Sequence, residues 1–179
     1  MMNKKITTLI LGCAIAGMAW ADEPTPDVAV TIEIPRIDVS EYHRPYVAAW
    51  IQDEDRQAVA NLNVWYQMTE SSEGAGTKWL PDLRQWWRRS GRSLEMPVDG
   101  VSSATRPAGK HTLSYSSSDP RLAKLPPGEY SLVVEASREV GGRELLTLPF
   151  TWPAKDLQEE QAAGKKELGE VTLTIQPTH

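Results

Sequence analysis

Cysteine is almost absent: the 179 residues contain one, Cys13. It lies in the apolar run Ile6 to Met18, which follows Lys4 and Lys5 and leads to Ala19-Trp20-Ala21 and the polar Asp22-Glu23-Pro24. A positive start, a short apolar run and an A-x-A site make a secretory signal peptide, with cleavage expected after Ala21. The mature chain then has no cysteine. That excludes disulfides, a thiolate nucleophile and any cysteine-based metal site. An exported domain without disulfides must be held by its core alone, and residues 22–179 are enough chain for one domain.

Other absences narrow the chemistry further. No run is long and apolar enough to span a bilayer, so no membrane insertion is expected once the signal is removed. There are three histidines, His43, His111 and His179, and none stands at ligand spacing from another, which argues against a metal site. No G-x-S-x-G elbow is present to mark a serine nucleophile. The acids sit in turns and on strand faces, with no marked pair for glycoside hydrolysis. Formal net charge is −5 and falls further when Lys4 and Lys5 leave, which argues against nucleic acid as a partner.

What the chain does have is short alternating runs. Residues 28–34, 46–51, 59–68, 110–116, 129–138, 144–152 and 171–176 read as strands. Gly141-Gly142 reads as a hairpin turn. One helix is expected between Pro81, placed as a first-turn proline, and Gly91, placed as a stop. Its Leu83, Trp86, Trp87 and Ser90 would share a face. Residues 153–169 are polar and read as a long surface loop with some helical tendency. Pro107-Ala108-Gly109-Lys110-His111-Thr112-Leu113 echoes Pro126-Pro127-Gly128-Glu129-Tyr130-Ser131-Leu132, each a turn feeding a strand. The expected fold is all-β, an Ig-like antiparallel β-sandwich with one short helical insertion.

Two stretches carry chemistry. Arg84, Arg88, Arg89 and Arg92 cluster around Trp86 and Trp87 with no acid among them. Guanidinium forks suit phosphate or carboxylate, and indoles stack on flat π-systems. The plainer alternative makes the tryptophans core and the arginines solvated. The second stretch is Asp99-Gly100-Val101-Ser102-Ser103-Ala104-Thr105. As Asp-Gly followed by small polar residues, it can be a turn before the Pro107 strand. It also resembles the acceptor motif of periplasmic proteins that carry covalent FMN, D-x-x-[S/T]-G-A-[T/S], with Ser103 in the glycine position. That resemblance implies Thr105 as the hydroxyl esterified by an FMN transferase, with Asp99 as the supporting acid and the small Ser102, Ser103 and Ala104 leaving room for the transferase. Trp86 or Trp87 would then cover the flavin ring, and Arg84, Arg88, Arg89 and Arg92 would offset its phosphate's charge.

The order of segments is similar to the predicted periplasmic family named domain of unknown function 2271. The similarity is carried by I-E-I-P-R-I-D-V-S-E-Y-H-R-P-Y-V-A (32–48), K-W-L-P-D-L-R-Q-W-W-R-R-S-G-R (78–92), D-G-V-S-S-A-T-R-P-A-G (99–109), L-P-P-G-E-Y-S-L-V-V-E-A-S-R-E (125–139) and L-P-F-T-W (148–152). The resemblance implies a periplasmic protein working beside PepSY-type membrane reductases, FMN transferases and iron-uptake systems, with electron carriage by covalent FMN as its role. His43 and Arg44 fall in the family's Y-H-R-P-Y segment without an assigned role. The competing expectation is a cofactor-free Ig-like accessory module that binds a membrane partner protein through the Arg/Trp helix.

Overall fold

The computed structural model describes residues 27–70, 72 and 74–177. The expected signal peptide and His179 lie outside the described residues. Among these residues nine strands form: β1 (Val28–Ile34), β2 (Tyr46–Gln52), β3 (Ala58–Tyr66), β4 (Ser102–Ala104), β5 (Gly109–Tyr115), β6 (Gly128–Ser137), β7 (Arg143–Trp152), β8 (Gln158–Ala163) and β9 (Glu170–Ile175). They make two open sheets, in the orders β5-β1-β9-β8 and β4-β3-β2-β6-β7. The result is a β-sandwich with one short helix, as expected from the alternating runs. Every pairing is antiparallel except β3 with β4.

Alternation decides which face each residue takes. On β1, Val28, Val30, Ile32 and Ile34 are buried and the residues between them half-buried. They meet Val47, Ala49 and Ile51 of β2, Leu132 and Val134 of β6, and Leu173 and Ile175 of β9 in the core between the sheets. β2 is different: its five central residues, from Val47 to Ile51, are all buried. Its second face, Ala48 and Trp50, packs under the segment between β3 and β4 in a second core with Val64, Leu80, Leu83 and Trp86. A strand covered on both faces reads as a continuous apolar run, which Val47-Ala48-Ala49-Trp50-Ile51 is.

The helical segment departs from expectation at its start. A 3₁₀ stretch (Gly76–Asp82) contains Pro81, and the α-helix proper, α1 (Arg84–Arg89), begins after it. No side chain of α1 caps its own first turn. Instead the backbone N–H groups of Gln85 and Trp86 donate to the carboxylate of Glu135 on β6, at 3.1 and 2.8 Å. Glu135 is fully buried and also accepts from Arg143 Nε at 2.5 Å. A carboxylate at a helix N-terminus satisfies orphan donors and suits the dipole. Gly91 follows the helix, as expected. A Cβ there would meet the Trp86 ring at 2.5 Å, so only glycine lets the chain pass so close.

Two further differences concern strands. Residues 153–169 are not a loop with helical tendency: they contain β8, which pairs with β9 from Gln158 to Ala163. In its Gln-Glu-Glu-Gln-Ala-Ala only Gln158 and Ala162 are half-buried, with Ala162 touching the core, so this edge strand shows no apolar alternation. The Asp99 stretch is both a turn and a strand. Gly100 takes φ +67°, the N–H groups of Val101 and Ser102 donate back to the Val98 carbonyl, and Ser102–Ala104 then forms β4 beside β3. The two echoed Pro-Gly segments feed β5 and β6, one in each sheet.

Candidate functional site

Sheet order gathers residues far apart in sequence at one end of the five-stranded sheet. Thr105 follows the last residue of β4, Gln67 follows β3, and Arg44 and Tyr46 lie at the start of β2. Ser137 ends β6 and Arg143 opens β7. Trp79, Asp82 and Arg84 come over from the helical segment. Together with His43 and the Val140–Gly142 hairpin turn, these residues line a cavity of about 560 Å³.

Thr105 is half-buried on that wall, and its hydroxyl makes no hydrogen bond among the described residues. Its neighbours' hydroxyls are used locally. Ser102 Oγ accepts from the Val98 N–H at 2.9 Å, and Ser103 Oγ lies 3.3 Å from the side-chain amide of Asn63. These bonds fix the short parallel strand and so fix where Thr105 emerges. Ala104 and the stretch from Arg106 to Gly109 are exposed. Asp99 is exposed in the turn and is not part of the cavity wall.

Four arginines line the cavity, and they differ in how they are held. Arg138 and Glu167 are buried together, with Nε donating to Oε2 at 2.8 Å and Nη2 to Oε1 at 3.1 Å. Glu167 also accepts the Gly142 N–H at 2.7 Å, which ties the hairpin turn to the pair. Arg143 is committed to buried Glu135. Arg44 and Arg84 are exposed and form no ion pair with any described residue. His43 stands between two acids, Nε2 at 3.0 Å from Glu41 and Nδ1 at 3.5 Å from Glu139. Tyr46 donates its hydroxyl to the Gly76 carbonyl at 3.1 Å. Partial burial, with help from the Glu139 and Asp82 carboxylates, pushes its phenol above the usual range. Trp79 is half-buried on the wall, and the Lys78 ammonium stands 4.6 Å from its ring centre.

The residues expected to surround the flavin are placed differently. Trp86 is fully buried in the second core, and its Nε1 donates to Asn61 Oδ1 at 2.8 Å. Trp87 is half-buried, its ring 6.3 Å from that of Trp86. Arg88 is exposed, and Arg89 donates to the Arg56 carbonyl and lines a separate depression with Asp53 and Glu54. None of these four lines the cavity that holds Thr105. Of the expected arginines, only Arg84 does. The structure brings in Trp79 and Arg44 instead. Arg44 stands just before β2 and Trp79 within the 3₁₀ stretch, positions that mean nothing until strand order is known.

Fold and site define a class: a two-sheet β-sandwich whose strand-end cavity combines a half-buried threonine, two unpaired arginines and an indole. The family described as predicted periplasmic protein (DUF2271) matches residues 27–170, and the chain belongs to it. No curated protein and no solved structure matches the chain. No helix among the described residues is long and apolar enough to cross a membrane.

Proposed function

We propose that this protein is a periplasmic electron carrier that holds FMN as a phosphoester on Thr105. The observation that supports the reading is the position of Thr105. Its hydroxyl is unbonded among the described residues, on the wall of a cavity of about 560 Å³ that Arg44, Arg84 and Trp79 share. That volume lies within the range of cofactor sites, about 300–1,000 Å³. The residues fit the group in kind as well. Guanidinium forks complement a phosphate, and an indole complements a planar ring. The exposed backbone from Arg106 to Gly109 leaves the hydroxyl open to a separate transferase.

Attachment is a phosphoryl transfer from a donor whose flavin phosphate is activated as a pyrophosphate. The bond between Thr105 Oγ and phosphorus forms and the pyrophosphate P–O bond breaks. The nucleoside monophosphate leaves with that electron pair, and the hydroxyl proton passes to a base of the transferase. A bound flavin supplies one- and two-electron chemistry. This chain's residues hold, orient and shield it between a PepSY-type membrane reductase and an acceptor.

Co-expression with an FMN transferase, followed by intact-mass measurement, tests the reading. The expected result is a gain of one flavin phosphoryl group, lost in Thr105→Val and kept in Thr105→Ser. An unmodified mass, or a gain that survives Thr105→Val, overturns it. The exposure of Arg88 and Arg92 favours a second reading, a cofactor-free module that binds a membrane partner protein. Unmodified protein whose capture of that partner is lost on charge reversal of Arg88 supports this alternative.

A further inference from the structure

We infer that the strand-end cavity takes a planar aromatic anion, with Trp79 as its stacking face and Arg44 and Arg84 as its countercharges. The inference rests on the reading above in one respect: the anion is then the flavin mononucleotide held by Thr105.

Arg138 and Arg143 sit on the wall, but each answers a buried carboxylate, Glu167 and Glu135. Removing a buried charge's partner is costly, so these two arginines are part of the fold. Arg44 and Arg84 reach the cavity from different elements, the lead into β2 and the start of α1, and both lack an ion pair among the described residues. Two carboxylates share the wall, Asp82 and Glu139, and Glu139 faces His43. An anion in this cavity meets those acids, so it needs both free guanidinia to bind.

Trp79 is the only tryptophan on the wall among the described residues. Its ring has the Lys78 ammonium over it, and Lys78 does not line the cavity. A half-buried indole on a cavity wall is a stacking surface, whereas Trp86, with its N–H bonded inside the second core, is packing.

Flavin fluorescence reads the inference in two ways. Unmodified protein is titrated with free FMN and, separately, with riboflavin, which has the ring but no phosphate. FMN is expected to be quenched on binding and to bind about tenfold more tightly than riboflavin. Arg44→Gln and Arg84→Gln each weaken FMN about fivefold or more and leave riboflavin unchanged. Trp79→Leu abolishes quenching and Trp87→Leu does not. In protein flavinylated at Thr105, emission is quenched, and Trp79→Leu brightens it without changing the intact mass. Arg44 and Arg84 are exposed, so unchanged urea midpoints accompany their variants, and urea unfolding checks that the Trp79 and Trp87 variants are folded. Equal affinity for FMN and riboflavin, or quenching that survives Trp79→Leu, overturns the inference. A flavinylated protein as bright as free FMN overturns it too while leaving the Thr105 attachment standing. Trp79-dependent binding of free FMN with no mass gain supports the cavity and overturns the attachment.

Discussion

Trp86 and Trp79 belong to one helical segment and one stretch of sequence, yet they do opposite things. Trp86 is sealed from solvent over the five-stranded sheet, its N–H satisfied by Asn61. Trp79 is half-buried on a cavity wall under the Lys78 ammonium. The arginines divide in the same way. Arg89 is spent on the Arg56 carbonyl, while Arg84 faces the cavity unpaired among the described residues. A run of aromatic and basic residues is therefore two populations, separated by helix geometry: the side toward the sheet builds the fold, and the end beside the strand termini builds the site.

The sharpest way to break this comparison is truncation of each indole. Trp86→Ala is expected to cost about 3–5 kcal/mol, as for a fully buried aromatic residue, whereas Trp79→Ala stays within about 1 kcal/mol. Urea unfolding measures both, and similar losses would erase the distinction. A second contrast sets core against cavity by pH. Burial pushes the Tyr115 phenol up to about 12, against a partly compensating Arg121 guanidinium, and its hydroxyl donates to the Leu62 carbonyl. A raised pKa means that the folded state favours the neutral phenol. That stability is fully present below pH 10 and is lost as pH rises toward 12, by about 2–3 kcal/mol in all. Tyr115→Phe should remove most of this slope between pH 10 and 12, leaving the smaller part due to the raised Tyr46 phenol. A slope undiminished in the variant places the main titrating group elsewhere. The smallest effect is expected at Arg88, which is exposed outside the cavity. Arg88→Glu should change stability by no more than about 0.5 kcal/mol and leave the FMN titration unmoved. A loss of FMN binding in that variant would move the site back to the helix.

Much of the fold was legible because periodicity is local. β1 alternates residue by residue, and the apolar runs of β2 and β6 and the Gly141-Gly142 turn announce themselves. What was hidden has a physical cause in each case. β8 is an edge strand whose one core contact, Ala162, makes no pattern, and three residues of parallel strand are too few to show one in β4. The start of α1 is set by Glu135, which lies on a strand far along the chain. The loop around Thr105 stood out as a motif, but its neighbours in space did not. Arg44, Thr105 and Arg143 meet only because β4, β3, β2, β6 and β7 lie side by side in that order. The nearest tryptophans in sequence, Trp86 and Trp87, were the natural candidates for ring contacts, and packing claims Trp86 first.

Flavin attachment at the Thr105 hydroxyl, as proposed, can be tested at a single peptide. Trypsin cleaves after Arg92 and Lys110 and is blocked at Arg106 by Pro107, so one peptide spans Ser93 to Lys110 with Ser93, Ser102, Ser103, Thr105 and Ala104 in it. Fragmentation of that peptide from protein co-expressed with an FMN transferase is the most direct measurement. The flavin phosphoryl mass is expected on Thr105 alone. Its presence on Ser102 or Ser103, on any other peptide, or on none contradicts the account.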